Sequence, residues 1–214
     1  MSILIFANGD ISQGRWLNHY LENANVLIAA DGGAFHLDSL GLKPDFIIGD
    51  LDSVDDGLIQ RLADSGVELL KYSRDKDETD LELALLFSLG INEEEILIFG
   101  GFGGRWDHSL ANVLLLVHPQ FKDREITFVD KGQRLWLVQN QAEIRGSPGD
   151  VISLIPIDGQ ARVSFTKGLR WQLEGEILFP GLTRGISNEM TSNRTVIMVA
   201  EGRLICVHSF QDPI

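Results

Sequence analysis

Five aspartates lie within one span of fifty residues, each just after a segment that reads as a buried β-strand: Asp31, Asp50, Asp52, Asp77 and Asp80. Carboxylate oxygens are ligands that proteins use to hold Mg²⁺, which in turn neutralises phosphate oxygens. Parallel sheets flanked by helices bind their ligands at the carboxyl edge, where strands end. The five aspartates therefore predict a metal and phosphate site.

Asp50 and Asp52 stand two residues apart in GDLDS. If the backbone stays extended there, both side chains project to one side and could offer two oxygens to one hard cation. A turn with helix capping explains the pair equally well, because aspartate is common at both places and Ser53 with Asp56 could form a cap. The pair alone leaves both readings open.

Two further segments belong to the same edge. Asp31 in ADGGA precedes two glycines that either let a ligand approach the backbone or satisfy a tight turn with positive φ. The run DKDETD is of a kind that usually forms a solvated acidic loop, but it precedes a helix over 80–89 for which Thr79 and Glu82 predict a capping box. That place favours a metal or phosphate site, where Lys76 could balance phosphate charge or only soften repulsion among its neighbours.

The segment GGFGGRWDHSLAN supplies a glycine-rich loop and then Arg105, Asp107 and His108 at the start of a predicted helix. Arginine can bind phosphate oxygens in a bidentate way, and the loop amides can add hydrogen bonds. The segment is not a Walker A motif, because no GK[ST] follows the glycines. In the plainer alternative, Asp107 caps the helix and His108 packs or hydrogen-bonds.

Alternating strands and helices predict the framework that positions these residues up to about residue 130. Apolar runs as continuous as VLIAA, FIIG and EILIFG indicate strands covered on both faces, as in a parallel sheet built from right-handed βαβ units. We expect strands at 2–7, 26–30, 45–49, 67–72, 95–99 and 125–129, and helices near 12–23, 34–40, 55–65, 80–89 and 106–117.

After Lys131-Gly132 the helical periodicity ends. Short apolar runs such as RLWLVQ, DVISLIPI and RLICVHSF are separated by Gly, Pro, Asn and Asp, which is typical of an antiparallel sandwich or barrel. The expected fold class is therefore α/β, with an N-terminal parallel-sheet α/β domain at 1–130 and an antiparallel β domain at 131–214.

Charge and composition narrow the function. Thirty-one acidic against eighteen basic residues give a net charge of −13, which argues against a nucleic-acid partner and, on a polyphosphate-binding protein, for a recruited cation. Simple solubility is the alternative meaning of that charge. The single Cys206 excludes an intrachain disulfide and reads as a buried thiol of a reducing compartment. With neither a signal peptide nor an apolar span long enough for a membrane, we expect a cytoplasmic protein.

Together, ADGGA, GDLDS, DKDETD and GGRWDHSLAN resemble the motif series of the thiamine pyrophosphokinase family in order and spacing, and KGLRWQLEGE and TRGISNE extend the resemblance into the second domain. The resemblance implies an α/β domain that binds ATP and Mg²⁺, a β-sandwich that binds thiamine, and a homodimer with thiamine held at the subunit interface. The implied reaction converts ATP and thiamine to thiamine diphosphate and AMP.

The resemblance also implies residue roles. The metal and catalytic carboxylates would be Asp50, Asp52 and Asp80. Apart from the resemblance, one aspartate near the hydroxyl could accept its proton; the sequence does not say which, and Asp80 is the favoured candidate. The nucleotide or phosphate site would include Asp31, Lys76, Asp77, Thr79, Arg105, Asp107 and His108. The thiamine contacts would be Ser187, Asn188 and Trp171; thiamine carries a cationic ring that an aromatic side chain can stack on, although a tryptophan here could equally belong to the sandwich core.

Three other functions remain open at this stage. A pyrophosphokinase of related chemistry could act on another hydroxymethyl heterocycle such as a pterin. A non-catalytic module could bind a nucleotide or divalent cations without turnover. A phosphatase or nucleotide hydrolase would release product without any acceptor.

Overall fold

The computed structural model describes residues 2–12, 14–93 and 95–211, which fall into two compact units, Met1–Asp130 and Lys131–Ile214. Among these residues, no helix is long and apolar enough to cross a membrane. The division falls between two residues of opposite charge, directly after the last strand of the first unit.

The first unit is built on a parallel sheet in which the described strands have the order β6-β5-β1-β2-β3-β4. Their bounds are β1 Ser2–Phe6, β2 Ala24–Ala30, β3 Phe46–Gly49, β4 Glu68–Lys71, β5 Glu95–Phe99 and β6 Glu125–Asp130. The residues of β1 from Ile3 to Phe6 are all fully buried, which confirms that continuous apolar runs mark strands covered on both faces.

The helices of this unit are α1 Asn18–Leu21, α2 Gly33–Ser39, α3 Asp56–Asp64, α4 Asp80–Ser88 and α5 Trp106–Leu115. The helix expected near 12–23 is mostly wrong, because a 3₁₀ turn at Arg15–Leu17 leads into the single turn of α1; Gln13 lies outside the described residues. Trp16 and Leu17 still reach the core, but Asn18, His19 and Asn23 are poor helix formers and β2 begins at Ala24.

Side-chain caps fix where two helices begin. Asp55, rather than Ser53, caps α3 by accepting hydrogen bonds from the amides of Gly57 and Leu58 at 3.0 and 3.2 Å. Thr79 caps α4 by accepting from the Glu82 amide at 3.2 Å, as the sequence predicts. The second bond of the predicted capping box, from the Thr79 amide to the Glu82 carboxylate, is not formed among the described residues; that carboxylate lies 3.9 Å from His118 Nε2 instead.

The second unit is a β-sandwich of two antiparallel sheets, with strand orders β12-β9-β14-β7 and β11-β10-β13-β8. Side chains from both sheets share one core, in which Cys206 is fully buried and burial raises the pKa of its thiol. The strands are β7 Gln133–Val138, β8 Gln141–Arg145, β9 Val151–Pro156, β10 Ala161–Lys167, β11 Glu174–Leu178, β12 Asn188–Glu189, β13 Arg194–Glu201 and β14 Leu204–Ser209.

Candidate active site

A cleft of about 540 Å³ opens at the carboxyl ends of the first unit's strands. Because β5, β1, β2 and β3 are neighbours in the sheet, the segments that follow them meet there. The volume lies within the range of small-molecule sites. Of the residues predicted for this site, the cleft is lined by Asp31, Asp50, Asp52, Lys76, Thr79, Asp80, Arg105 and His108.

Asp31 follows β2 and is only 6% exposed. Its backbone takes a φ of 46°, a left-handed conformation that non-glycine residues rarely adopt. Burial raises the pKa of its carboxyl group, with a smaller contribution from the nearby carboxylate of Asp80. Its Oδ1 is buried without a hydrogen-bond partner among the described residues. A buried, unpaired carboxylate oxygen at a strand end is suited to a cation.

The two glycines after Asp31 are required for space rather than for positive φ. Gly32 has a φ of −59°, and a Cβ on it would overlap the Asn8 side chain. A Cβ on Gly33 would overlap the carbonyl oxygen of Phe6. The tight-turn explanation of these glycines is therefore wrong: they let α2 begin directly against the end of β1.

Asp50 and Asp52 do not lie on an extended backbone, contrary to the expectation from their spacing. Leu51 has a φ of 64°, which turns the chain so that the Asp52 amide donates to Asp50 Oδ1 at 3.2 Å. This hydrogen bond lowers the pKa of Asp50. Because Leu51 is 7% exposed and anchored in the core, the turn holds both carboxylates at the cleft. The turn is therefore compatible with both carboxylates facing the cleft.

One oxygen from each of Asp31, Asp50 and Asp52 lies within 4.8 Å of the other two. Opposite oxygens around an octahedral Mg²⁺ stand about 4 Å apart, so a small side-chain adjustment would bring all three to bonding distance. The donor set consists of hard carboxylate oxygens, and Asp31, which supplies one of them, has a buried Oδ1 without a hydrogen-bond partner among the described residues. These three residues therefore fit a hard divalent cation.

Asp80 lies beside this cluster without belonging to it among the described residues. Its Oδ1 accepts a hydrogen bond of 2.6 Å from Lys76 Nζ, and the Lys76 side chain is only 13% exposed. A Cβ on Gly49, at the end of β3, would stand 2.9 Å from Asp80 Oδ1 and 3.0 Å from Asp31 Cβ. Gly49 thus lets Asp80 approach Asp31, and Lys76 compensates part of the resulting negative charge.

The glycine loop after β5 is held from two sides. The amides of Gly9 and Asp10 donate to the carbonyls of Gly100 and Phe102 at 2.8 and 2.7 Å. From α5, the buried Asn112 side chain donates to the Gly101 carbonyl at 2.7 Å. The loop is thereby fixed with its backbone lining the cleft.

Sequence reasoning missed several cleft residues, namely Asn8, Asp10, Arg74, Ser109 and Asn112. Asn112 had a usable signal, because residues 105, 108, 109 and 112 follow helical spacing and all line the cleft from one face of α5. Arg74 had none: it approaches Asp52 at 3.4 Å from an irregular loop.

Asp77 and Asp107 are exposed and do not contribute to the cleft lining. Asp107 instead pairs with Arg105, with Nε to Oδ1 at 3.2 Å and Nη2 to Oδ2 at 2.5 Å. That hydrogen bond lowers the pKa of Asp107 to about 2. Asp107 therefore pairs with Arg105, which lines the cleft as His108 does.

Three predicted residues lie in the second unit. Trp171 is 46% exposed, so the alternative that it belongs to the sandwich core is wrong. Ser187 is exposed, has a φ of 58° and donates its amide to Ser153 Oγ at 3.0 Å. Asn188 is 8% exposed and bonds to the backbone of Trp171. Two of the three side chains are thus open to solvent.

A cleft that combines strand-end carboxylates, a paired lysine, an arginine and a glycine loop on an α/β unit is typical of phosphoryl-transfer proteins. Matches to family models identify the family within this class. Residues 17–128 match the thiamin pyrophosphokinase catalytic domain, and residues 139–204 match the thiamin pyrophosphokinase vitamin B1 binding domain.

Individual proteins agree with the family models. The chain is 30% identical over 195 residues to a thiamine pyrophosphokinase of Bacillus subtilis (strain 168), covering 90% of this chain and 91% of that one. It is 30% identical over 188 residues to thiamine pyrophosphokinase 1 of Arabidopsis thaliana, covering 75% and 70%. The crystal structure of a Bacillus subtilis thiamine pyrophosphokinase superposes with a TM-score of 0.88 at 28% identity, covering 99% and 100% of the two chains. The chain belongs to the thiamine pyrophosphokinase family, which is a family of enzymes.

Proposed function

We propose that this protein transfers the pyrophosphoryl group of ATP to the hydroxyethyl group of thiamine, forming thiamine diphosphate and AMP. The observation that carries the proposal is the group of Asp31, Asp50 and Asp52 at the strand ends, in a chain whose two parts match the family's two domain models. The family match does not favour a pterin acceptor or a non-catalytic module.

Mg²⁺ is the proposed metal, held by Asp31, Asp50 and Asp52. When bound, it would neutralise the charge of the polyphosphate. Asp80 was expected among the ligands, but its bond to Lys76 supports a different role beside the metal. There it is the candidate acceptor of the hydroxyl proton, with Lys76 holding its orientation.

The phosphate groups are proposed to lie between the glycine loop and the two basic side chains of Lys76 and Arg105, which line the same cleft. Thr79 Oγ1 accepts its helix-capping bond, so its hydroxyl proton is available to a phosphate oxygen. Asp107 would act through Arg105, and Asp77 is left with no more than a long-range effect. Pyrophosphoryl transfer needs an aligned hydroxyl and charge compensation, and these groups would supply the charge compensation.

Thiamine is proposed to contact the second unit through Trp171 and Ser187, whose side chains are exposed. The match of this unit to a vitamin B1 binding domain supports the assignment. Following the family resemblance, we also propose a homodimer with thiamine held at the subunit interface. We propose a cytoplasmic location from the single cysteine and the N-terminal sequence.

The test is a chromatographic assay of the purified protein with ATP, Mg²⁺ and thiamine, with omission of thiamine and addition of EDTA as controls. We expect AMP to form in step with thiamine diphosphate and only in the complete mixture. ADP, or AMP that forms equally without thiamine, would contradict the proposal, and turnover with a hydroxymethylpterin in place of thiamine would redirect it. Light scattering during gel filtration tests the homodimer.

A further inference from the structure

The side chain of Asn188 forms two hydrogen bonds to the backbone of Trp171. Asn188 lies in β12 opposite Ile152 of β9, and its side chain is 8% exposed. Its Oδ1 accepts from the Trp171 amide at 3.0 Å, and its Nδ2 donates to the Trp171 carbonyl at 2.6 Å. The same Oδ1 also accepts from the Glu189 amide at 3.0 Å.

These three bonds use most of the capacity of the amide group. An asparagine side chain offers two acceptor sites and two N–H donors, so Asn188 keeps one N–H at most. That N–H belongs to a buried side chain. A direct polar contact with a substrate would have to compete with backbone bonds that are already made.

Among the described residues, Trp171 is contacted through its backbone by Asn188 and through its ring by Arg170. Arg170 donates its amide to the Glu189 carbonyl at 2.8 Å and its guanidinium to the Glu189 carboxylate at 2.8 Å. Its guanidinium carbon stands 4.8 Å from the centre of the Trp171 ring. Because the Arg170–Glu189 ion pair is exposed, it contributes little to rigidity. Leu169 and Leu173, both buried in the core, anchor the chain on either side of Trp171. Between them, the buried Asn188 side chain is bonded directly to the backbone that carries the indole, and these two bonds form a clamp.

We infer that Asn188 is a positioning residue: it does not touch thiamine but fixes the Trp171 backbone so that the exposed indole is preorganised to stack on a planar ring of the acceptor. The inference rests on the proposed function. Preorganisation improves binding because the backbone that carries the indole has less freedom to lose when the ligand stacks. The inference gives different roles to two residues that are adjacent in the sequence: Ser187 is a proposed thiamine contact, whereas Asn188 positions Trp171.

A double-mutant cycle tests the inference. We expect Asn188→Ala to lower kcat/KM for thiamine about tenfold while the KM for ATP stays unchanged. If Asn188 acts through Trp171, adding Asn188→Ala to Trp171→Ala causes no further loss. Losses that multiply in the double variant would mean that Asn188 contacts thiamine independently, which would overturn the inference. Asn193→Ala, an exposed asparagine of the same unit, is the matched control.

A second readout does not depend on turnover. In protein labelled with 5-fluorotryptophan, the Trp171 signal is assigned with Trp171→Phe, and Trp136 of the same unit serves as the reference. Asn188→Asp keeps the two accepted bonds but puts an oxygen against the Trp171 carbonyl, so it tests the clamp even if Asn188→Ala fails to fold. We expect it to shift or broaden the Trp171 signal alone; an unchanged signal would overturn the clamp. If wild-type protein makes no thiamine-dependent AMP while the shift is seen, the proposed function fails separately, and the link of the clamp to thiamine is overturned with it.

Discussion

Replacing Asp31 by asparagine should stabilise the metal-free protein and weaken its response to Mg²⁺. The substitution keeps the size of the side chain, and asparagine tolerates the left-handed φ of 46° as well as aspartate does. What it removes is a negative charge on a buried group whose Oδ1 has no hydrogen-bond partner among the described residues. It also adds an N–H that can donate to the neighbouring carboxylates.

The magnitude follows from the burial. An unsatisfied buried polar group costs about 1–3 kcal/mol, and the pKa of Asp31 is raised by burial and by Asp80, so its charged form destabilises the fold at neutral pH. Each kcal/mol shifts the melting temperature by about 2–4 °C in a protein of this size. We expect Asp31→Asn to melt at least about 2 °C above the wild type in EDTA. Mg²⁺ at tenfold its Kd adds about 1.4 kcal/mol to the wild type and less to the variant.

Differential scanning calorimetry in EDTA and then across a Mg²⁺ series measures both effects. Asp75→Asn is the matched control, because Asp75 is exposed, lies outside the cleft lining and carries the same charge. It separates the local effect from a general relief of the net charge of −13. If Asp31→Asn is less stable than the wild type in EDTA, the argument that the buried charge destabilises the fold is refuted. If the variant also gains as much stability from Mg²⁺ as the wild type does, Asp31 is not a metal ligand.

Three further predictions concern other parts of the molecule. Asp50→Asn should lower kcat about 100-fold or more with an unchanged circular dichroism spectrum, because its half-buried carboxylate lines the cleft and does not belong to the hydrophobic core; full activity in Mg²⁺ would remove the metal site. Asn112→Ala should release the glycine loop and raise the KM for ATP while leaving the KM for thiamine unchanged, so equal changes in both would contradict the assigned role. The second unit should lose stability in acid: burial lowers the pKa of His208, and although burial alone would raise the pKa of Asp150, hydrogen bonds from the Gln211 and Ser147 amides and from His208 lower it. Because both pKa values are lower in the folded protein, the unfolded chain binds a proton at a higher pH than the folded protein does. Urea midpoints should therefore fall as the pH drops below about 6.5, where His208 of the unfolded chain is protonated, and again below about 4, where Asp150 is protonated. His208→Asn should remove the first decline.

Much of the fold could be read from local patterns. Continuous apolar runs predicted the buried strands, and Thr79 predicted the start of α4, because both signals depend only on residues that are neighbours in the sequence. The helix expected near 12–23 failed for the opposite reason. Trp16 and Leu17 are apolar because they enter the core, and their spacing imitates a helix that the chain does not form.

The sequence predicted most of the residues that line the cleft, but not how those residues are arranged. An extended backbone at Asp50 and Asp52 was the natural assumption, but the buried Leu51 anchors a left-handed turn. Likewise, Asp80 was expected in the metal cluster and Asp31 beside it. The positions of Asp80 and Asp31 depend on the space that Gly49 leaves between them and on the bond from Lys76 to Asp80. The spacing of residues in the sequence predicts neither feature.

The sequence by itself determined which residues come to strand ends and helix starts, because periodicity and capping are local. Only the tertiary structure decided which of these ends meet. The order β5-β1-β2-β3 brings the glycine loop, Asp31 and Asp50 to one cleft, although the chain separates them by up to seventy residues. Pairing between distant strands and the burial of single atoms, such as Oδ1 of Asp31, arise from contacts that no local pattern contains.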